Sequence, residues 1–124
     1  MRRVVITGFG GLTALGHDWE SIRAKLKARQ SGVRYLSELD RYQGLRTRLG
    51  ARVEPFDVPE HYTHKITRSM GPVALMSTLS AERALEDAGL LDDPILKSGK
   101  TGIAHGASAG SAQAVVAFGS LDGL

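Results

Sequence analysis

The 124-residue chain contains no cysteine, which excludes disulfides, thiolate metal sites and a cysteine nucleophile from these residues. It also lacks a long hydrophobic run. Met1-Arg2-Arg3 carries two positive charges, but the apolar stretch behind it, Val4-Val5-Ile6, stops at Thr7-Gly8, too short for the core of a secretion signal. No stretch approaches the roughly 20 apolar residues of a bilayer-spanning helix. A soluble cytoplasmic protein without a membrane partner is expected. Prolines number only four against fifteen glycines, so the glycines need explaining: glycine is kept where the backbone requires positive φ or a close approach.

With 42% hydrophobic residues the chain is apolar enough to bury a core, and its length suits one compact unit. A net charge of +3 is too mild a bias to point to nucleic acid. Its distribution is more informative. Between Arg23 and Arg68 lie Lys25, Lys27, Arg29, Arg34, Arg41, Arg46, Arg48, Arg52 and Lys65, against Glu38, Asp40, Glu54, Asp57 and Glu60. Such a segment is either a solvated face or a positive surface for an acidic partner.

Arg3 to Thr7 is a β-branched run ended by glycine and reads as a strand buried on both faces. Asp18 can cap a helix in which Trp19, Ile22 and Leu26 repeat on one face, ending near Gly32. Residues 31–60 show little periodicity, with one short strand expected around Leu49 to Val53. From about Arg68 to Ala88 the small and apolar residues leave few polar positions on any side, which predicts a helix buried nearly all round. Pro72 fits only its first turn, Gly89 suits a left-handed cap, and Pro94 prevents continuation. Thr101 to His105 reads as a second buried strand, followed by a small-residue helix through Ala112, Val115, Val116 and Phe118. Strand, helix, strand, helix is an α/β pattern, with too few strands for a complete sheet. The chain is therefore expected to be an incomplete portion of something larger.

Several motifs have competing readings. Val4 to Gly10 has the look of a strand and a glycine-rich turn that binds a dinucleotide, but no helix opens three residues after Gly10, and no acidic residue ends a second strand. His61 and His64 form an HxxH pair with no third ligand nearby, the pattern of surface histidines more than of zinc. His17 and His105 are isolated, and His105 is expected to make a structural hydrogen bond at a strand end. Gly106-Ala107-Ser108-Ala109-Gly110 matches GxSxG, which leaves an α/β-hydrolase with Ser108 as nucleophile open. The acid and histidine that such a fold places after the serine are not found behind it here, and small residues can equally serve close packing.

Arg3 to Gly16 resembles the opening of the β-ketoacyl-acyl carrier protein synthases of the elongating, condensing type. Gln30-Ser31-Gly32-Val33, the basic stretch Lys65 to Met70, Ala84-Leu85-Glu86-Asp87-Ala88-Gly89-Leu90 and Thr101 to Gly106 are similar to further segments of that family, in the same order. The resemblance implies a thiolase-like layered α/β fold, of which residues 1–124 would be the N-terminal part of the N-terminal domain. It also implies decarboxylative Claisen condensation of acyl groups with malonyl-acyl carrier protein, by a cysteine and two histidines that lie beyond Leu124 in such proteins.

No catalytic residue is assigned within the chain on this basis, and no cofactor is expected. The resemblance gives Lys65 and Arg68 a role in binding acyl carrier protein, and places Ala109 at the floor of the acyl pocket near a homodimer interface. Ser69 stands where many relatives have a second basic residue, and Gly71-Pro72 replaces a more helix-friendly pair. A non-catalytic subunit that sets chain length or binds the carrier is the alternative outside enzymes.

Overall fold

A computed structural model describes residues 3–108 and 110. Instead of one compact unit the chain forms two, residues 11–57 and a discontinuous unit of residues 1–10 with 58–124. In the first, Asp18 opens helix α1 (Trp19–Lys27), its carboxylate accepting the Ser21 N–H at 2.8 Å. The helix stops at Lys27, short of the expected Gly32. Arg29 takes the left-handed conformation (φ 55°) and its N–H bonds to Leu26 O at 3.0 Å, while Gln30 N–H reaches Lys25 O at 2.9 Å. This pair of bonds is a Schellman motif with arginine where glycine is usual.

The irregular stretch that follows is stitched by short-range devices. Strand β1 (Arg34–Tyr35) pairs antiparallel with β2 (Leu49–Gly50), Arg34 opposite Gly50 and Tyr35 opposite Leu49. The expected strand near Leu49 is thus present, shorter than its sequence range. Arg34 pairs with Glu54, Arg48 with Asp40 at 2.8 Å and Arg52 with Glu38 at 2.7 Å. Exposed pairs of this kind contribute only about 0–1 kcal/mol each. Their larger effect is on charge: Arg34, Arg48 and Arg52 are matched by acids, which reduces the positive surface between Arg23 and Arg68 at those places.

The other unit is built on helix α3 (Pro72–Asp87). It starts at Pro72 and not at Arg68, because the residue before a proline is pushed out of the helical region, and Gly71 sits at ψ 170°. A separate one-turn helix, α2 (His64–Thr67), precedes it. At its other end Gly89 is left-handed (φ 68°), with Gly89 N–H on Glu86 O at 2.9 Å and Leu90 N–H on Leu85 O at 2.8 Å, a second Schellman motif. Among the described residues only Leu79 of α3 is fully buried (2% exposed), so the helix is not enclosed all round as expected. A helix is enclosed only when layers pack on every side, and the described residues supply cover on part of its surface.

Gly8 and Gly10 provide that cover. A Cβ on Gly8 would lie 2.5 Å from Ala84 O and 2.6 Å from Ala88 N, and one on Gly10 would lie 2.7 Å from Ala84 N. The glycine turn therefore rests on the backbone of α3, between small residues. Phe9 N–H completes the contact by donating to the Asp87 carboxylate at 3.1 Å.

The two buried strands expected at Arg3 to Thr7 and Thr101 to His105 are not formed: neither segment joins a ladder among the described residues. Val4, Ile6 and Ile103 are 90%, 91% and 95% exposed. A β-branched run becomes a strand only when neighbours complete its hydrogen bonds, and among the described residues the one ladder is that of β1 with β2. The helix expected through Ala112 to Phe118 lies outside the described residues. No helix among those described is long and apolar enough to cross a membrane.

The glycines separate two physical demands. Gly8→Ala should destabilise the fold by about 1–3 kcal/mol, because the new methyl group meets backbone that cannot yield. Gly11→Ala, with nothing within 4 Å and no positive φ, should change stability by less than about 0.5 kcal/mol. Urea unfolding of the two variants measures the contrast.

Candidate functional site

The basic residues singled out in the sequence sit on and beside α2. Lys65 lies within it, and Arg68 caps it, with its N–H on His64 O at 2.9 Å. Both side chains are exposed, and neither has an ion-pair partner among the described residues. Three residues apart on a helical turn, they project on the same side. They differ in this from Arg34, Arg48 and Arg52, whose charges are matched. Ala109 lies outside the described residues.

Just before α2, two side chains reach α3: Tyr62, which sequence reasoning missed, and His61, which it read as a surface histidine. Tyr62 donates its hydroxyl to Glu82 Oε2 at 2.6 Å, and His61 Nε2 lies 3.0 Å from Glu82 Oε1. The two rings meet edge to face, with centroids 4.8 Å apart. Partial burial, and then the bond to Glu82, push the Tyr62 hydroxyl from its ordinary 10.0 up to about 12. The Tyr62 and His61 hydrogen bonds hold the Glu82 carboxyl below its ordinary range. The one available signal was a glutamate in the middle of a helix otherwise rich in small residues.

The remaining histidines do not converge. His17 meets Phe56 edge-on at 6.0 Å, His64 opens α2, and His105 is exposed in a segment that forms no ladder, so the strand end expected to hold it is absent. Among the described residues no group of three or more His, Asp or Glu could hold a metal ion.

Neither glycine motif is arranged as a site. Gly8 and Gly10 pack against α3 and the Phe9 N–H between them is taken by the Asp87 carboxylate, so the turn is used for packing. Ser108 is exposed and follows no strand. Of its flanking glycines, Gly106 faces open space, whereas a Cβ on Gly110 would meet the Val73 side chain at 2.9 Å. Close packing therefore accounts for Gly110 alone. An apolar cavity of about 570 Å³ lies along α3, lined by Ala81 and Ala84 on the helix, by Ala88 at its C-cap and by Thr7, Gly102 and Ile103 beside it.

Residues 1–121 match the family described as β-ketoacyl synthase, N-terminal domain. Among curated proteins, the chain is 38% identical over 112 residues to 3-oxoacyl-[acyl-carrier-protein] synthase 1 of Haemophilus influenzae, covering 90% of this chain and 27% of that protein. It is 30% identical over 111 residues to the Escherichia coli K12 protein of the same name, with the same coverage. A crystal structure of a β-ketoacyl synthase from Burkholderia phymatum superposes with a TM-score of 0.89 at 44% identity, covering 99% of this chain and 30% of that one. The chain thus spans roughly a quarter of the length of these curated relatives. The neighbour's fold is thiolase-like, as the sequence resemblance implied, and these matches do not favour a hydrolase built on Ser108.

The Tyr62–Glu82 contact has a defined pH window. Tyr62 holds its proton more tightly in the folded state, so its contribution is complete below pH 10.0 and is lost as pH rises from there through about 12. Glu82 holds its proton less tightly when folded, so its contribution is complete above its ordinary 4.5 and is lost as pH falls below that. Thermal midpoints compared across pH for the parent and Tyr62→Phe should run parallel at neutral pH and converge in the alkaline limb.

Proposed function

The chain belongs to the β-ketoacyl synthase family, and from that membership we propose that the full-length protein is a 3-oxoacyl-acyl carrier protein synthase. Its reaction is decarboxylative Claisen condensation of an acyl group with malonyl-acyl carrier protein in fatty-acid or polyketide elongation. The observation that carries this reading is the match of residues 1–121 to the family's N-terminal domain. The names of the curated relatives support acyl carrier protein as partner. On this reading residues 1–124 are the N-terminal part of that domain. A homodimer and a cytoplasmic location belong to the same reading. A non-catalytic carrier-binding subunit has no observation of its own in its favour.

Within the chain, Lys65 and Arg68 are the residues that meet the carrier. Their support is physical: two exposed cations on one turn, without an ion-pair partner among the described residues, offer their charge to an acidic partner. Ala109 belongs to the floor of the acyl pocket, where side-chain volume limits chain length.

Two experiments test this. The full-length protein, given an acyl-acyl carrier protein and malonyl-acyl carrier protein, should release carbon dioxide and form the 3-oxoacyl product. Lys65→Glu with Arg68→Glu should weaken carrier binding about tenfold or more at low salt and less at high salt. Absence of condensation refutes the activity, and unchanged affinity in a titration refutes the docking residues. Separately, Ala109→Phe should shift the product profile toward shorter chains, read by mass spectrometry of the products. An unaltered profile removes Ala109 from the pocket.

A further inference from the structure

The Glu82 contacts lie next to the two docking cations, yet docking as proposed does not involve them. Helix α2 has four residues, far fewer than a helix needs to hold its own shape in water. Its position is therefore set by its anchors. On its C-terminal side, Met70 N–H bonds to Thr67 O at 2.8 Å, and the chain passes through Gly71 into α3. On its N-terminal side, Tyr62 N–H bonds to Pro59 O at 2.9 Å, which shapes only the local turn. Among the described residues, the side-chain hydrogen bonds that tie this side to α3 are those of His61 and Tyr62 with Glu82, across 20 or 21 residues of sequence. Residues 62–71 thus form a loop pinned twice to one helix, at Pro72 and at Glu82, about 15 Å apart along its axis.

We infer that Glu82 is a positioning residue for carrier docking: by gripping His61 and Tyr62 it holds the α2 turn, and with it Lys65 and Arg68, in one arrangement. The inference rests on the docking reading above. A pinned turn has already lost the backbone freedom that docking would otherwise remove, which tightens the complex without adding a contact to the partner. The other charged groups around the clasp are Arg83 and Glu86 on α3, which act electrostatically on Glu82 and Tyr62 respectively, and Glu60, His64 and Lys65 on the adjoining segment. A protonated His61 adds charge attraction to the same contact.

Positioning and plain electrostatics predict opposite results for one substitution. Glu82→Ala removes a negative charge near the cations, so charge alone would tighten binding of an acidic carrier. Loss of positioning weakens it. In the full-length protein, Glu82→Ala should raise the dissociation rate of octanoyl-acyl carrier protein about threefold to tenfold. The association rate and its salt dependence should hold, because Lys65 and Arg68 keep their charges. KM for the carrier-borne substrate should rise with kcat unchanged, Glu82→Gln should recover most of the loss, and amide exchange at residues 64–68 should quicken in the alanine variant.

Tighter or unchanged binding by Glu82→Ala, while Lys65→Glu with Arg68→Glu weakens it, overturns the inference and leaves the docking reading standing. Unchanged amide exchange overturns it whatever the carrier does. No effect of the double charge reversal overturns the docking reading, and the inference falls with it. Should Glu82→Ala fail to fold, Tyr62→Phe, which deletes one hydroxyl, supports or overturns the inference by the same criteria.

Discussion

The structure depends on one close approach, that of the Gly8-Phe9-Gly10 turn to the backbone of α3. Ala84 O and Ala88 N stand where a methyl group on Gly8 would have to go, so the contact is backbone on backbone and admits no side chain at that place. It also fits the alanines that α3 carries on this face and the place of Asp87, the last residue of the helix, which receives the Phe9 N–H. A segment that reads as a phosphate-binding loop is thereby used for packing. The amide at the middle of the turn, that of Phe9, is already held by Asp87 and is not available to a ligand.

What could be read from the sequence divides along the range of the interactions. The caps at Asp18 and Gly89 and the place of Pro72 were legible because each acts within one helical turn. The end of α1 was misread because its left-handed residue is Arg29, which carries none of glycine's signal. Arg3 to Thr7 and Thr101 to His105 have the composition of strands, but a strand is a relation between segments, and composition does not reveal whether a neighbour is in register. The same limit explains why the ladder of β1 with β2 was seen from only one side.

The candidate surface shows the same division. Lys65 and Arg68 stood out through the family resemblance, whereas the partners of Arg34, Arg48 and Arg52 lie 20, 8 and 14 residues away and pair with charges that seemed free. The grip of Glu82 on His61 and Tyr62 spans a similar distance, and neither histidine spacing nor helix periodicity announces it. Family motifs located the basic turn. Only the three-dimensional arrangement shows what holds it.

The distance in sequence between the glycine turn and its seat also sets a timetable for biosynthesis. Phe9 and its partner Asp87 are 78 residues apart, and at about 5–20 residues per second a ribosome takes roughly 4–16 s to add that length. Throughout that interval the Gly8-Phe9-Gly10 turn has no helix to rest on. The first turn of the chain is thus among the last to be seated, because its seat is the last residue of a helix made 78 residues later.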